Sequence, residues 1–555
     1  MLSKIPDTME SIDNPSVPAY MGSKLLMPLA DYSGLPLDQV NFVVGQVTAL
    51  LLATLLRIYL HPRKVSPDTR LTICLLLGVV LSWFCYGRRA IHIVAMPFIC
   101  YIVMILQGPK SAHKVVLVIS LVYLSLIHLY HQFIERNFFS VDVTGPMMVV
   151  TQKVTSLAYS LHDGNVEDKE KLKPMQVQHS IRKLPSPLEY FSFVLQFQTI
   201  LAGPLVLYND YHDYIHGAAL EKCQLAANQA NSSKSRDVYV EPSPFKAVRN
   251  KVAGSILCAV LFVWLLPLFP IGRVKDSEFL TTKGVPAQIL YLIVATSLVR
   301  LKYYHAWLLA DAISNASGLG LRVPSNPKEQ PSWDLISNID VVGFETGTSL
   351  RDSVSAWNKG TSTWLRLLVY ERSTKMRTLQ TYILSAVWHG FHPGYYLTFL
   401  SGALFTVAAR SARRCLRHHF TASVHYKQMY DWTTFLATRV LMGYVTFPFV
   451  LLELRPCIRI YSHMYWWYHL LAAAAMVILP VLMPPEPSGV KKGKAARSHE
   501  EFKLAAGLED QDGDLILVPP PNLSPSARRR HLLRDVVLAD SGKMLKLNST
   551  ALVTE

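Results

Sequence analysis

The stretch SAVWHGFHPGYYLTFL, residues 385–400, sets His389 and His392 inside one of the most apolar parts of a 555-residue chain. A titratable ring in hydrocarbon is costly, so it is either packed on a polar partner or put to use. An imidazole titrates near neutrality, at about pH 6.5 when unperturbed, and in its neutral form is a competent base. Trp388 and Gly390 flank His389 with a bulky wall and a position without Cβ. Pro393-Gly394 should open the helical ladder a turn later, an arrangement tolerated where a cavity is lined. His389 therefore reads as a ring facing a polar void within a membrane; the alternative is an interhelical histidine satisfied by a neighbour. His392 can share the same face, although a polar residue at the kink describes it better.

A second polar group lies 31 positions upstream, Asn358 in SAWNKGTSTWLR. One helix, a turn and the entry to the next fit that spacing, so the two side chains can meet. Taken alone, Asn358 reads as an amide capping or turning a helix. Arg300 and Lys302, at the end of an apolar span in LVRLKYYHAW, can meet phosphate or snorkel to the interface. Asp311 and Asn315, four apart, can line a head-group pocket or bridge helices. Trp357, Trp364, Arg366 and Trp388 enter as lining candidates on position alone.

The elements that must hold these residues are hydrophobic. Half of the residues are hydrophobic and 17% are charged, against about a quarter in soluble domains; mean hydropathy is +0.23. Apolar runs recur at 42–60, 71–86, 90–106, 115–130, 191–207, 252–271, 289–309, 382–409, 434–454 and 466–483, each near the ~20 residues that cross a bilayer. The expectation is an all-α polytopic membrane protein with roughly nine to eleven transmembrane helices. Residues 145–164 read as a re-entrant or interfacial helix, and 348–372 as an amphipathic interfacial helix with Trp357, Trp364 and Leu368 near one face. The expected divisions are a polar N-terminal segment (1–37), a membrane domain (38–483) and a cytosolic, mostly disordered basic tail (484–555). The N-terminus lacks the apolar core of a signal peptide, so the run at 42–60 should target the chain.

The net charge of +16 sits largely in juxtamembrane clusters such as Arg88-Arg89 and Arg413-Arg414, which suit an anionic leaflet. No separate basic domain is present to bind nucleic acid. Seven cysteines without CxxC or Cys/His spacing support neither a disulfide framework nor zinc. A serine hydrolase is disfavoured by the lack of a G-x-S-x-G elbow. A transporter would want charges along several helices or duplicated halves, and no repeat is visible.

With these residues in view, SAVWHGFHPGYYLTF preceded by AWNKGTSTWL resembles the signature of the membrane-bound O-acyltransferase superfamily. LPLDQVNFVV, GPMMVVTQKVTSLA, HDG, PSPLEYFSFVLQF, ILAGPL, KYYHAWLLADAISNASGLG, WDLISNI and FPFVLLELRP extend the likeness to the lysophospholipid acyltransferase branch, over roughly residues 25–483. Departures are Ala356 in Ala-Trp-Asn, His392 before Pro393, and His305 in KYYHAW; close relatives carry Asn, Tyr and Phe there. The resemblance implies an intramembrane chamber in the endoplasmic reticulum membrane, with acyl-CoA as co-substrate rather than bound cofactor, no metal, and a 1-acyl lysophospholipid as acceptor. It also implies His389 as general base and Asn358 as orienting or oxyanion-stabilising amide. Acylation of a protein substrate stays open within the superfamily, and so does a homodimer.

Overall fold

The computed structural model describes residues 20–135, 141–230, 241–324 and 329–485. The tail beyond 485 and two Asn-X-Ser/Thr glycosylation triplets, at Asn231 and Asn548, lie outside the described residues. Among those described, secondary structure is helical, apart from one isolated antiparallel bridge between Arg322 and Ser332.

The principal helices are α1 (Leu37–Tyr59), α2 (Pro67–Tyr86), α3 (Ile91–Tyr130), α4 (Thr144–Gly164), α5 (Pro187–Leu195), α6 (Phe245–Leu265), α7 (Val285–Ser317), α8 (Leu350–Ala356), α9 (Lys359–Leu365), α10 (Arg377–His389), α11 (Pro393–Phe420), α12 (Val424–Leu451) and α13 (Trp467–Val477). Among the described residues, five apolar segments are long enough to cross a membrane: 37–59, 67–134, 245–275, 285–317 and 424–451. The second, at 68 residues, is about 100 Å long at 1.5 Å per residue, roughly three times the hydrocarbon core. Its interruptions fall at Gly87 and at Gly108, where φ is 69° just before Pro109. Proline disfavours helical geometry in the residue before it and removes a backbone donor, so the helix kinks there.

Helix α7 packs against α6, α12 and α1, and α4 packs against α3. Helix α4 is enclosed by protein on every side: Thr151 through Ser156 are all at most 2% exposed. Its polar side chains must then find partners inside. Gln152 donates to Thr361 Oγ1 (2.8 Å), Trp364 Nε1 donates to Thr155 Oγ1 (2.8 Å), and Arg372 grips Asp163 with both guanidinium nitrogens (2.9 and 2.6 Å). Each of these pairs is separated by 209 positions in sequence. A constant offset means that α4 and the 361–372 segment run parallel and in one register.

Three sequence expectations are corrected, and a fourth run breaks beside Pro393 as expected. The run 191–207 is not a spanning helix: α5 stops at Leu195, and residues 196–207 continue as buried irregular chain. At this junction Lys153 donates to the last-turn carbonyls of α5, Phe193 (3.1 Å) and Val194 (3.0 Å), and to Thr199 Oγ1 in the irregular chain (2.9 Å), while Thr199 N–H and Gly203 N–H bond the Gln196 and Thr199 carbonyls. The 348–372 amphipathic helix is broken into α8, α9 and a π-helical turn at Arg366–Tyr370. The break falls at Asn358, whose φ of 42° and ψ of 54° are left-handed, a conformation asparagine tolerates better than most residues. Trp364 and Leu368 are buried rather than at an interface. The run 382–409 divides into α10 and α11 at Gly390–His392, and that at 466–483 contains the 11-residue α13 and a short turn of helix.

Candidate active site

The break between α10 and α11 opens onto a cavity of about 690 Å³, within the range of pockets that hold small ligands. It is lined by the end of α3, by α4, the 201–205 chain, α7, Asn338, α9, α10, α11 and α12. Most of the wall is aliphatic or aromatic, with a few polar groups facing inward.

His389 is the last residue of α10 and keeps part of its surface open to this space. Its Nδ1 lies 2.7 Å from the Ser385 carbonyl. A carbonyl only accepts, so Nδ1 carries the hydrogen and Nε2 is left with a lone pair. Phe399 (4.8 Å), Trp388 (4.6 Å) and Phe449 (5.3 Å) surround the ring and fix its plane. Trp388 is anchored in turn by donating its indole N–H to the Met148 carbonyl on α4 (3.0 Å). The next residue, Gly390, has φ 117° and ψ −164°, a conformation open essentially to glycine alone. The chain thus leaves α10 sharply and the imidazole stands at its tip.

Asn358 lines the same cavity from the turn between α8 and α9. Its carbonyl accepts the Ser362 N–H (3.0 Å), which commits the backbone while the amide makes no capping bond. Trp357 lines the cavity beside it, edge-on to Trp307 on α7 (5.0 Å). His392 also faces the cavity, against Tyr395 (5.7 Å).

The other candidates divide sharply. Arg300 reaches the cavity wall, yet its charge is already matched by Glu345 (3.0 Å), which Arg439 (3.3 Å) and the Tyr304 hydroxyl (2.7 Å) also hold. Lys302 is exposed, over the ring of Tyr303, and is not in the lining. Asp311 pairs with Lys251 (2.7 Å) and accepts from Ser337 (2.6 Å), and Asn315 donates to the Trp333 carbonyl (3.0 Å). Asp311 ties α7 to α6 and Asn315 ties α7 to the chain that follows it, and neither lines the cavity. Trp364 is completely buried behind Trp388, and Arg366 pairs with Glu371 (2.7 Å). His305 bonds Ser255 (2.9 Å), also away from the cavity.

Sequence reasoning missed His128 and Asn338. His128, on α3, lines the cavity, and its Nε2 lies 3.1 Å from the Trp388 carbonyl, holding the turn that carries His389. The argument applied to His389, a ring inside an apolar run, would have found it in SLIHLYHQF. Among the described residues, no group of three His, Cys, Asp or Glu is placed to hold a metal ion.

A sequence profile of the membrane-bound O-acyltransferase family matches residues 44–447. The chain belongs to this family. It is 48% identical over 447 residues to lysophospholipid acyltransferase 6 of Drosophila melanogaster, covering 80% of this chain and 62% of the fly protein's own length. Human membrane-bound glycerophospholipid O-acyltransferase 2 is 38% identical over 494 residues, 89% of this chain and 93% of that protein. A yeast lysophospholipid acyltransferase is 29% identical over 366 residues, 62% of this chain and 58% of the yeast protein. Family membership and the long apolar helices together make this a multi-pass membrane protein.

Proposed function

We propose that this protein transfers a fatty acyl group from acyl-CoA to the sn-2 hydroxyl of a 1-acyl lysophospholipid. The observation that carries the reading is the bare Nε2 of His389 in a largely apolar cavity that Asn358 shares. In the reaction, Nε2 takes the hydroxyl proton as the oxygen attacks the thioester carbonyl. A C–O bond forms and the C–S bond breaks. The imidazolium then returns its proton to the departing thiolate, leaving His389 neutral for the next cycle. A base so placed supplies a factor of about 10²–10⁴. Asn358 either orients the hydroxyl or donates to the oxyanion. Exclusion of bulk water protects the thioester from hydrolysis, a physical reason to hold the base in a dry wall.

The remaining assignments follow from this reading. The cavity is an intramembrane chamber, reached by lysolipid from the bilayer and by acyl-CoA from the cytosol, within a bundle of roughly nine to eleven crossings. Residues 38–483 form the catalytic domain, residues 1–37 a polar N-terminal segment and 484–555 a cytosolic tail, in the endoplasmic reticulum membrane. The names of the relatives support a glycerophospholipid acceptor. The test is a panel of lysophospholipids and acyl-CoAs assayed on membranes holding wild type or His389→Ala at equal abundance. Transfer should be lost in the variant; equal turnover removes His389 from the reaction.

A further inference from the structure

Asn338 lies in WDLISNI, in the chain between α7 and α8, and lines the cavity with its small remaining exposed surface. Its backbone carbonyl accepts the N–H of Lys359 (2.8 Å), and its side-chain oxygen accepts the N–H of Gly360 (2.9 Å). These are the first two residues of α9, directly after Asn358. Two orphan donors of a helix start are thereby satisfied by one residue from outside the helix. Gly360 suits this close approach, since a Cβ there would lie 3.0 Å from the Asn338 oxygen and 3.1 Å from Leu205 and would crowd both.

The bond to Gly360 also decides how the amide is turned. A backbone N–H only donates, so the atom it meets must be Oδ1, and the NH₂ group is committed to the other side. Nδ2 makes no hydrogen bond with the described residues and is not among the buried polar atoms without a partner. The cavity is the space its residue faces. We infer that Asn338 is a second amide of the acyl-transfer site: its Oδ1 anchors the helix that presents Asn358, and its NH₂ donates to an oxygen of the bound substrates. This inference rests on the acyltransferase reading.

Asn338→Asp keeps an oxygen for Gly360 and removes the donor, so it separates anchoring from donation. In membranes at matched abundance, kcat should fall by about 10²-fold with both KM values little changed if the oxygen is the acyl carbonyl, as for loss of an oxyanion donor. A rise in KM for the lysophospholipid alone assigns the donor to that substrate and also supports the inference. A variant that keeps both parameters within threefold of wild type overturns it. Should Asn338→Asp fail to accumulate, Asn338→Ser, which loses anchor and donor together, is compared with Gly360→Ala, which crowds the anchor alone: a kcat at least tenfold below that of Gly360→Ala supports the inference, and equal losses overturn it. An inactive wild type overturns the acyltransferase reading and this inference together. An active wild type beside an unimpaired variant overturns only the assignment of Asn338.

Discussion

Gly390→Ala perturbs the proposed base without touching its chemistry. At φ 117° and ψ −164° a residue with a Cβ is strained, at a cost of about 1–3 kcal/mol. The added methyl would also sit 3.2 Å from Cγ and Nδ1 of His128, tighter than ordinary van der Waals contact. His128 is not free to retreat, because it is bonded to the Trp388 carbonyl one residue before His389. The cheapest relief is a shift of the 388–390 backbone, which displaces the imidazole. At about 1.4 kcal/mol per factor of ten, the strain corresponds to roughly a 5- to 150-fold loss in kcat. Initial rates of acyl-CoA-dependent esterification at saturating substrates, normalised to folded protein, give the number. The double variant His128→Ala/Gly390→Ala should recover part of the loss, since it removes the contact and leaves the backbone strain. A Gly390→Ala protein within twofold of wild type refutes the coupling between this turn and the base.

Two further substitutions test the scaffold. Trp364→Phe removes the indole donor to Thr155 while keeping the aromatic contact with Trp388. It should cost about 0.5–1.5 kcal/mol of stability, the net worth of one hydrogen bond, because the Thr155 hydroxyl keeps its own bond to the Thr151 carbonyl (2.6 Å), and it should leave the KM for acyl-CoA unchanged, as read by thermal unfolding in detergent and by kinetics. Arg372→Ala leaves the fully buried carboxylate of Asp163 without its bidentate partner and should cost about 3–5 kcal/mol, seen as a lowered melting temperature.

Much of the site was legible because its chemistry is local. An imidazole between Trp388 and Gly390, ahead of Pro393, can be recognised without any tertiary information, and so can the break that follows it. The run at 289–309 falls within a long helix, and those at 42–60 and 434–454 overrun theirs by only one and three residues, for the same reason. What the sequence concealed depends on partners far along the chain. The 191–207 run is as apolar as a span, and the residue that satisfies the end of its helix, Lys153, lies about 40 positions away. The helical pattern over 348–372 survives the break at Asn358, because a single left-handed residue changes the axis without disturbing which residues are apolar. Asp311 and Asn315 carry the right chemistry for a head-group pocket, but Lys251 and the Trp333 carbonyl have already claimed them.

The shared offset of 209 positions between α4 and the segment after Asn358 ties these observations to function. Gln152–Thr361, Thr155–Trp364 and Asp163–Arg372 span the segment from its first turn to its end. A slip of one residue would break all three at once, leaving the buried Asp163 carboxylate without its guanidinium and the Gln152 amide and Trp364 indole without acceptors. Each loss alone costs on the order of 1–3 kcal/mol, and more for the charge, so no neighbouring register competes. The same α4 accepts the indole of Trp388 beside His389. One fully enclosed polar helix therefore sets both the height at which Asn358 enters the cavity and the wall against which His389 stands. The proposed reaction needs these two groups, from separate parts of the chain, to be referred to one rigid element, and α4 contacts the supports of both.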